Sequence, residues 1–177
     1  MSSNFDREPH RPDRPSEWVA LWILTSGGLG LAPVAPGTFG TLGGVALAVP
    51  LVYVPGLPYW ATLLAVTTLL VGVGVVLGTI GERIFGGKDP GQIVLDEVAG
   101  YLVTVAVFAF FHGRGLQFGG HVAAFLLFRV ADILKPPPGR ALEKLPGGLG
   151  VMMDDVVLAL YSGAALAALG DWGFAWL

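Results

Sequence analysis

The segment from Trp18 to Gly81 contains no Asp, Glu, Lys, Arg or His. Such a segment cannot form the surface of an ordinary soluble domain, in which about 25% of residues are charged. Over the whole chain, 54% of the residues are apolar and only 13% are charged. The pattern therefore predicts a membrane protein. Because burying a charge costs free energy, its few charged clusters are expected to mark the place of its chemistry.

The composition also excludes several classes of protein. There is no cysteine, which rules out disulfides, thiolate catalysis and cysteine-bound metal centres. No basic patch with interleaved aromatic residues is present, so we expect no nucleic-acid partner. We expect a polar, disordered tail over residues 1–17 and one helical membrane domain over residues 18–177.

Continuous apolar runs favour membrane helices over the strands of a β-barrel, which need alternating polarity. Residues 18–31 are apolar but broken by glycines, and are expected to lie in the interface or re-enter. Helices are expected over residues 42–54, 59–80, 98–111, 121–134 and 156–169. The predicted fold is all-α, a polytopic helical membrane protein with about four to five membrane helices. The aromatic residues Trp172, Phe174 and Trp176 fit an interfacial belt.

The distribution of Lys and Arg predicts the orientation of these helices. If residues 42–54 run outward and the following helices alternate, every Lys and Arg except Arg114 lies on the cytoplasmic side. Cytoplasmic loops carry such an excess of Lys and Arg. The same arrangement brings all the acidic clusters to the cytoplasmic ends of their helices. We therefore expect a protein of the bacterial inner (cytoplasmic) membrane, with an active site that faces the cytoplasm.

The pair Asp96-Glu97 stands just before an apolar helix. Acidic residues at this position stabilise the helix macrodipole, which is one interpretation. The other is a ligand pair for a hard cation, since Mg²⁺ takes oxygen ligands and often needs only one or two carboxylates beside phosphate and water.

Arg129, Asp132 and Lys135 recur at intervals of three residues and so share one face of a helix. They form either an ion-pair ladder with snorkelling cations or an anion-binding face. In the second case, Arg129 grips phosphate oxygens bidentately and Lys135 adds a point charge. Pro136 then ends the helix.

Asp154-Asp155 precedes the last apolar run. A helix N-cap explains one of the two aspartates but not both. Adjacent carboxylates repel unless a cation or a proton lies between them, and this favours metal binding.

The loop over residues 36–41 places Thr38 and Thr41 among glycines. It is either a turn with a helix cap or a phosphate-binding loop that offers backbone N–H groups and hydroxyls. The Lys of a nucleotide-binding P-loop is absent from it.

Four motifs together resemble the phosphatidylglycerophosphatase A family. They are Gly37-Thr38-Phe39-Gly40-Thr41-Leu42, Ile93-Val94-Leu95-Asp96-Glu97-Val98-Ala99-Gly100, Phe128-Arg129-Val130-Ala131-Asp132-Ile133-Leu134-Lys135-Pro136 and Gly147-Gly148-Leu149-Gly150-Val151-Met152-Met153-Asp154-Asp155. Ala131 departs from the family pattern, where a bulkier residue is expected. Residues that fall on the family's motif positions are Thr38, Asp96, Glu97, Arg129, Asp132, Lys135, Asp154 and Asp155.

The resemblance implies a helical membrane enzyme that hydrolyses the terminal phosphomonoester of phosphatidylglycerophosphate, with Mg²⁺ as cofactor, in phospholipid biosynthesis. The expected metal ligands are Asp96, Glu97, Asp154 and Asp155. Thr38, Arg129 and Lys135 are expected to bind the substrate phosphate. The residues expected to take part in catalysis are Asp96, Arg129, Asp132, Lys135 and Asp155.

Two other interpretations compete with a phosphatase. In a small ion- or proton-coupled transporter, intramembrane carboxylates relay charge, but they lie near the middle of the membrane and on the two halves of a repeat. No repeat is visible in this chain. A non-catalytic lipid-binding subunit would explain the cations but not the clustered acids.

Overall fold

The structure is a computed structural model that describes residues 9–171, and this part of the chain is built from helices. A single 3-10 turn spans Leu29–Leu31. The α-helices, in chain order, are α1 Pro15–Leu24, α2 Pro36–Leu51, α3 Tyr59–Phe85, α4 Leu95–His112, α5 Phe118–Leu134, α6 Gly139–Leu142 and α7 Gly148–Asp171. Residues 9–171 contain no strand, so the predicted all-α class is confirmed.

Three of these helices, α3, α4 and α7, are long and apolar enough to cross a membrane. Helix α2 is apolar but has 16 residues, and α5 has 17 residues and carries Arg129 and Asp132. A helix needs about 20 residues to cross about 30 Å of hydrocarbon. The prediction of a helical membrane protein is thus confirmed, whereas a total of four to five spans stays a prediction.

The N-terminal region differs from the sequence expectation. Helix α1 begins at Pro15, inside the segment expected to be a disordered tail, because Pro15 suits a first helical position and the Glu17 carboxylate accepts the Asp13 N–H at 3.0 Å. The His10 N–H donates to the Ile84 carbonyl at 3.0 Å. With 10 residues, α1 is too short to span a bilayer alone. Residues 1–8 and the aromatic residues after Asp171 lie outside the described residues.

Helix α4 lies at the centre of the structure and packs against α2, α3, α5 and α7. Glycines allow these helices to approach one another closely. A Cβ atom on Gly100 would lie 2.5 Å from the Phe128 ring, and one on Gly74 would collide with the sulfur of Met152. Gly78 faces the backbone of Gly148. Small residues at helix contacts are typical of membrane bundles, where close packing drives association. These contacts set α7 directly beside α3 and α4.

The helices alternate in direction, so the charged motifs meet at one end of the bundle. The start of α2 contacts Arg129 and Glu97, at the end of α5 and the start of α4. At the opposite end, the Tyr59 hydroxyl donates to the Ala48 carbonyl at 3.0 Å, and the Arg114 guanidinium lies 5.3 Å from the Phe108 ring centroid. The charged motifs thus lie at the end of the bundle away from Arg114.

Candidate active site

Three carboxylates from two helices meet at this end of the bundle. Asp96 and Glu97 lie in the first turn of α4, and Asp155 lies on α7. Oxygen atoms of the three side chains lie within 4.8 Å of one another. Asp96 is 6% exposed and Asp155 is 2% exposed. We call these three residues the acidic triad.

The segment before α4 is fixed by its neighbours, and this positions Asp96 and Glu97. The Val94 N–H donates to the Leu24 carbonyl at the end of α1, at 2.9 Å. A Cβ atom on Gly40 of α2 would lie 2.6 Å from the Val94 Cβ. The Glu97 N–H donates to Asp96 Oδ1 at 3.1 Å. The start of α4 is therefore held between α1 and α2.

The positions of the acids distinguish metal binding from stabilisation of a helix end. Helix α7 begins at Gly148, so Asp154 and Asp155 lie in its second turn and neither is an N-cap. Asp96 and Glu97 do lie in the first turn of α4, where they favour the macrodipole. That effect does not explain why Asp155, from another helix, is buried against them.

The acidic triad fits a hard divalent cation. Its carboxylates repel one another at this separation unless a cation or protons intervene. Glu97 Oε2 is buried and has no hydrogen-bond partner in the described structure. Carboxylate oxygens with no sulfur or paired imidazole are the ligand set of Mg²⁺ rather than of a softer metal.

Arg129 lies beside the triad. Its Nη1 is 3.7 Å from Glu97 Oε1 and 2.6 Å from Asp132 Oδ2. The two ion pairs fix the orientation of the guanidinium. Asp132 therefore holds Arg129 toward the triad.

The first turn of α2 closes the site on a third side. Gly37 is buried, and a Cβ atom on it would collide with Glu97 Oε1 and lie 2.8 Å from Arg129 Nη1. Thr38 follows it and is half-buried, with its N–H donating to the Ala35 carbonyl at 2.9 Å. Residues 36–41, which the sequence suggested as a loop, instead form the first turns of α2, because Pro36 suits a first helical position. They border the site, and Gly37 contacts both Glu97 and Arg129.

Lys135 forms a second cluster just beyond the triad. Its Nζ lies 2.8 Å from Asp154 Oδ2, 3.6 Å from Glu143 Oε2 and 3.9 Å from Asp89 Oδ2. Burial opposes the charged form, but the hydrogen bond that Lys135 donates to Asp154 and the nearby carboxylates outweigh it and raise the pKa of Lys135 above its ordinary value. We call Lys135, Asp154, Asp89 and Glu143 the lysine cluster.

Asp154 lies outside the triad, and its role as a metal ligand stays a prediction. Its Oδ2 pairs with Lys135, but its Oδ1 is buried and has no hydrogen-bond partner in the described structure. The structure places Asp155 in the triad and pairs Asp154 with Lys135. Adjacent residues inside an α-helix point about 100° apart, so an aspartate pair in mid-helix cannot readily serve one centre. Asp96 and Glu97 can do so because the longer Glu97 side chain reaches back.

Asp89 and Glu143 are site residues that sequence reasoning missed. In the sequence, Asp89 stands outside the four motifs, so no pattern assigns it to the site. Burial and the nearby Asp154 raise the pKa of Asp89 to about 6, although Lys135 opposes this. The sequence feature that could have indicated Asp89 is its place as a lone aspartate in the Gly- and Pro-rich loop that leads to α4.

Comparison with known proteins identifies the family. A family model for phosphatidylglycerophosphatase A matches residues 22–170. The chain is 38% identical over 146 residues to a Haemophilus influenzae protein named phosphatidylglycerophosphatase A, covering 82% of this chain and 85% of that protein. An Escherichia coli protein of the same name is 32% identical over 144 residues, covering 81% of this chain and 78% of that protein.

A Bacteroides thetaiotaomicron protein named "Putative phosphatidylinositol-3-phosphatase" is 35% identical over 162 residues, which cover 90% of this chain and 97% of that protein. No solved structure matches significantly. The match over residues 22–170 includes the acidic triad, Arg129 and the lysine cluster, and it confirms the resemblance found in the four sequence motifs. The chain belongs to the phosphatidylglycerophosphatase A family.

Proposed function

We propose that this protein hydrolyses the terminal phosphomonoester of phosphatidylglycerophosphate and releases phosphatidylglycerol and phosphate, as a step of phospholipid biosynthesis. The observation that carries the proposal is the acidic triad beside Arg129 at one end of an apolar bundle. Family membership supports the same substrate. The names of the relatives share one chemistry, a glycerophospholipid whose headgroup ends in a phosphomonoester.

We further propose that Asp96, Glu97 and Asp155 hold Mg²⁺. Bound there, Mg²⁺ would supply charge neutralisation for the phosphate and a lowered pKa for a coordinated water. The unpartnered Glu97 Oε2 supports this assignment. Asp154 keeps Lys135 charged and in position through its Oδ2, and its unpartnered Oδ1 remains available for the role of fourth ligand that the sequence suggested.

The cations of the site would bind the transferred phosphate. Arg129 presents a planar set of N–H donors that matches phosphate oxygens, and Asp132 and Glu97 fix its plane. Lys135 adds a second positive charge from the other side of α7. The first turn of α2, with Gly37 and Thr38, offers the positive end of a helix dipole. Such groups stabilise the charge that develops on the equatorial oxygens in the transition state.

The reaction also needs a proton acceptor and donor. In the proposed route, one triad carboxylate takes the proton of the attacking water, the bond between phosphorus and the glycerol oxygen breaks, and that oxygen takes up a proton. Direct attack by an aspartate, with an acyl phosphate as intermediate, is the alternative. Rapid acid quenching with radiolabelled substrate distinguishes them, since only the second route leaves label on the protein.

Metal dependence gives the first test of this function. The purified protein should release phosphate from phosphatidylglycerophosphate in the presence of Mg²⁺. Activity should disappear with EDTA and return when Mg²⁺ is added back, because the triad carboxylates repel the substrate without a cation. Full phosphate release in EDTA after extensive dialysis would contradict the metal assignment. The absence of any phosphate release under all metal conditions would favour the transporter or the lipid-binding subunit.

Substitutions in the triad separate a metal-binding role from a structural one. Asn keeps the shape and capping ability of Asp but loses the charge. We expect Asp96→Asn and Asp155→Asn each to lower turnover at least about 100-fold, equivalent to about 2.7 kcal/mol in the barrier. The exposed Asp13→Asn is the control and should retain activity. Near-normal turnover by both triad variants, with Mg²⁺ dependence intact, would show that these acids are structural.

Gly37 provides a test of how closely α2 must approach the site. Ala at this position would push Glu97 and Arg129 aside, and a small misplacement of groups that bind a transition state is costly. We expect Gly37→Ala to lower turnover at least about tenfold with little change in thermal stability. Gly43→Ala, on the same helix, meets the flexible end of Leu29 and makes an ordinary contact with Val98, so it should be nearly silent. Equal activity of the two variants would remove Gly37 from the site.

We propose that the site faces the cytoplasm of a bacterial inner membrane, which the distribution of Lys and Arg supports. Cysteines introduced at the exposed Gly91 and Gln117 lie at opposite ends of the bundle in a chain that has no cysteine of its own. In intact cells an impermeant maleimide should label Gln117→Cys, and should reach Gly91→Cys only after permeabilisation. The reverse labelling pattern would place the site outside.

A further inference from the structure

A groove with one apolar and one basic wall opens beside Lys135. It consists of two adjoining cavities of about 490 and 470 Å³ that share Lys135, Arg140 and Lys144 in their lining. Leu134 lines the first cavity, and Ile133, Lys88 and Glu143 line the second, where the Glu143 carboxylate pairs with Lys135. We call this surface the basic groove. The triad and Arg129 do not line it, so it is a separate feature at the edge of the proposed active site.

The two walls of the basic groove have different chemistry. Ile133 and Leu134, at the end of α5, are 69% and 64% exposed. Arg140 and Lys144 are exposed cations that form the basic wall. The Arg140 Nη2 donates to the Leu134 carbonyl at 3.5 Å, which holds the guanidinium directly beside exposed apolar surface. An exposed leucine next to an arginine matches the boundary between acyl chains and headgroups of a lipid.

The apolar wall continues along the whole of α5. Val122, Leu126, Val130 and Ile133 are all exposed and recur at the spacing of one helix face. In a membrane-spanning protein this face lies against acyl chains. A lipid that lies along it would therefore bring its headgroup to the level of Arg140 and Lys144.

We propose that the basic groove binds the phosphodiester group of the lipid substrate, with Arg140 and Lys144 as its charge partners. This inference rests on the proposed function, because phosphatidylglycerophosphate carries a phosphodiester and a phosphomonoester joined by a three-carbon headgroup. Lys135 lies between the two sites, since it lines the groove and also contacts Asp154, the neighbour of Asp155 in α7. The diester would thus remain at the groove while the monoester reaches the triad.

A fixed distance between the two phosphate sites would make the groove a determinant of specificity. The Tyr161 hydroxyl, on α7, donates to the Pro137 carbonyl in the floor of the groove at 3.0 Å. Helix α7 also carries Asp155. One rigid helix therefore supports both the groove and the triad. Only a lipid whose two phosphates are separated by a headgroup can bind at the groove and at the triad together.

Two substrates with the same acyl chains test this proposal. Phosphatidylglycerophosphate has both phosphates, whereas phosphatidic acid has only the monoester. For the double variant Arg140→Gln/Lys144→Gln, the KM for phosphatidylglycerophosphate should rise at least about tenfold with kcat changed less than about twofold, because uniform binding is lost. The KM for phosphatidic acid should change less than about twofold.

The control removes two exposed cations elsewhere, in the double variant Arg11→Gln/Arg83→Gln. It should leave both KM values unchanged. An equal rise in KM for both lipids, or the same rise in the control, would show that the cations attract anionic surfaces in general, and the proposal would be wrong. An unchanged KM for phosphatidylglycerophosphate in the groove variant would also overturn it.

A binding measurement separates failure of this inference from failure of the proposed function. Short-chain phosphatidylglycerol in detergent has the diester without the monoester, and its binding can be titrated calorimetrically without turnover. The groove variant should bind it at least about tenfold more weakly than the wild-type protein. If the wild-type protein hydrolysed no phosphatidylglycerophosphate but showed this difference, the proposed function alone would fail. Equal binding by both proteins would remove the diester site.

Discussion

Repulsion within the acidic triad is the constraint on which the rest of the structure depends. Three carboxylates from α4 and α7 lie within 4.8 Å of one another and are largely buried. Such an arrangement survives only if the contacts between the helices are strong and a positive charge is close. The glycine contacts of Gly78 with Gly148 and of Gly100 with Phe128 provide the first condition. Arg129, oriented by Asp132, provides part of the second.

The convergence of the motifs could be predicted from the sequence because it needs no side-chain detail. Apolar runs indicate the helices, and the asymmetry of Lys and Arg predicts which helix ends share one side of the membrane. Those two arguments bring Asp96, Arg129 and Asp155 to the same end, and the structure places them there. The all-α class follows from the same runs, since they lack the alternation of barrel strands.

The roles of individual acids could not be predicted because they depend on where each helix begins. Starting α7 at Gly148, rather than at Asp154, turns the two aspartates in different directions, and only Asp155 joins the triad. Asp89 is brought to Lys135 by the path of a loop with a left-handed residue, at φ 47°. Pro15 begins α1 within a polar segment that composition alone marks as a tail. The start of α7, the path of the Asp89 loop and the start of α1 are local features that the periodicity of apolar residues does not predict.

The balance of charge at this end of the bundle argues for a phosphatase that uses a metal. Carboxylates outnumber cations in both clusters, and Lys135 is already shared by three of them. Burial and the nearby Asp154 raise the pKa of Asp89 to about 6, which still leaves this carboxyl largely ionised at neutral pH. A phosphate dianion would still meet net negative charge, so Arg129 and Lys135 alone cannot bind it. A transporter would need its carboxylates along a path through the bilayer. Acids gathered at one end, next to a groove with an apolar and a cationic wall, instead suit a lipid that stays in the membrane and offers its headgroup there.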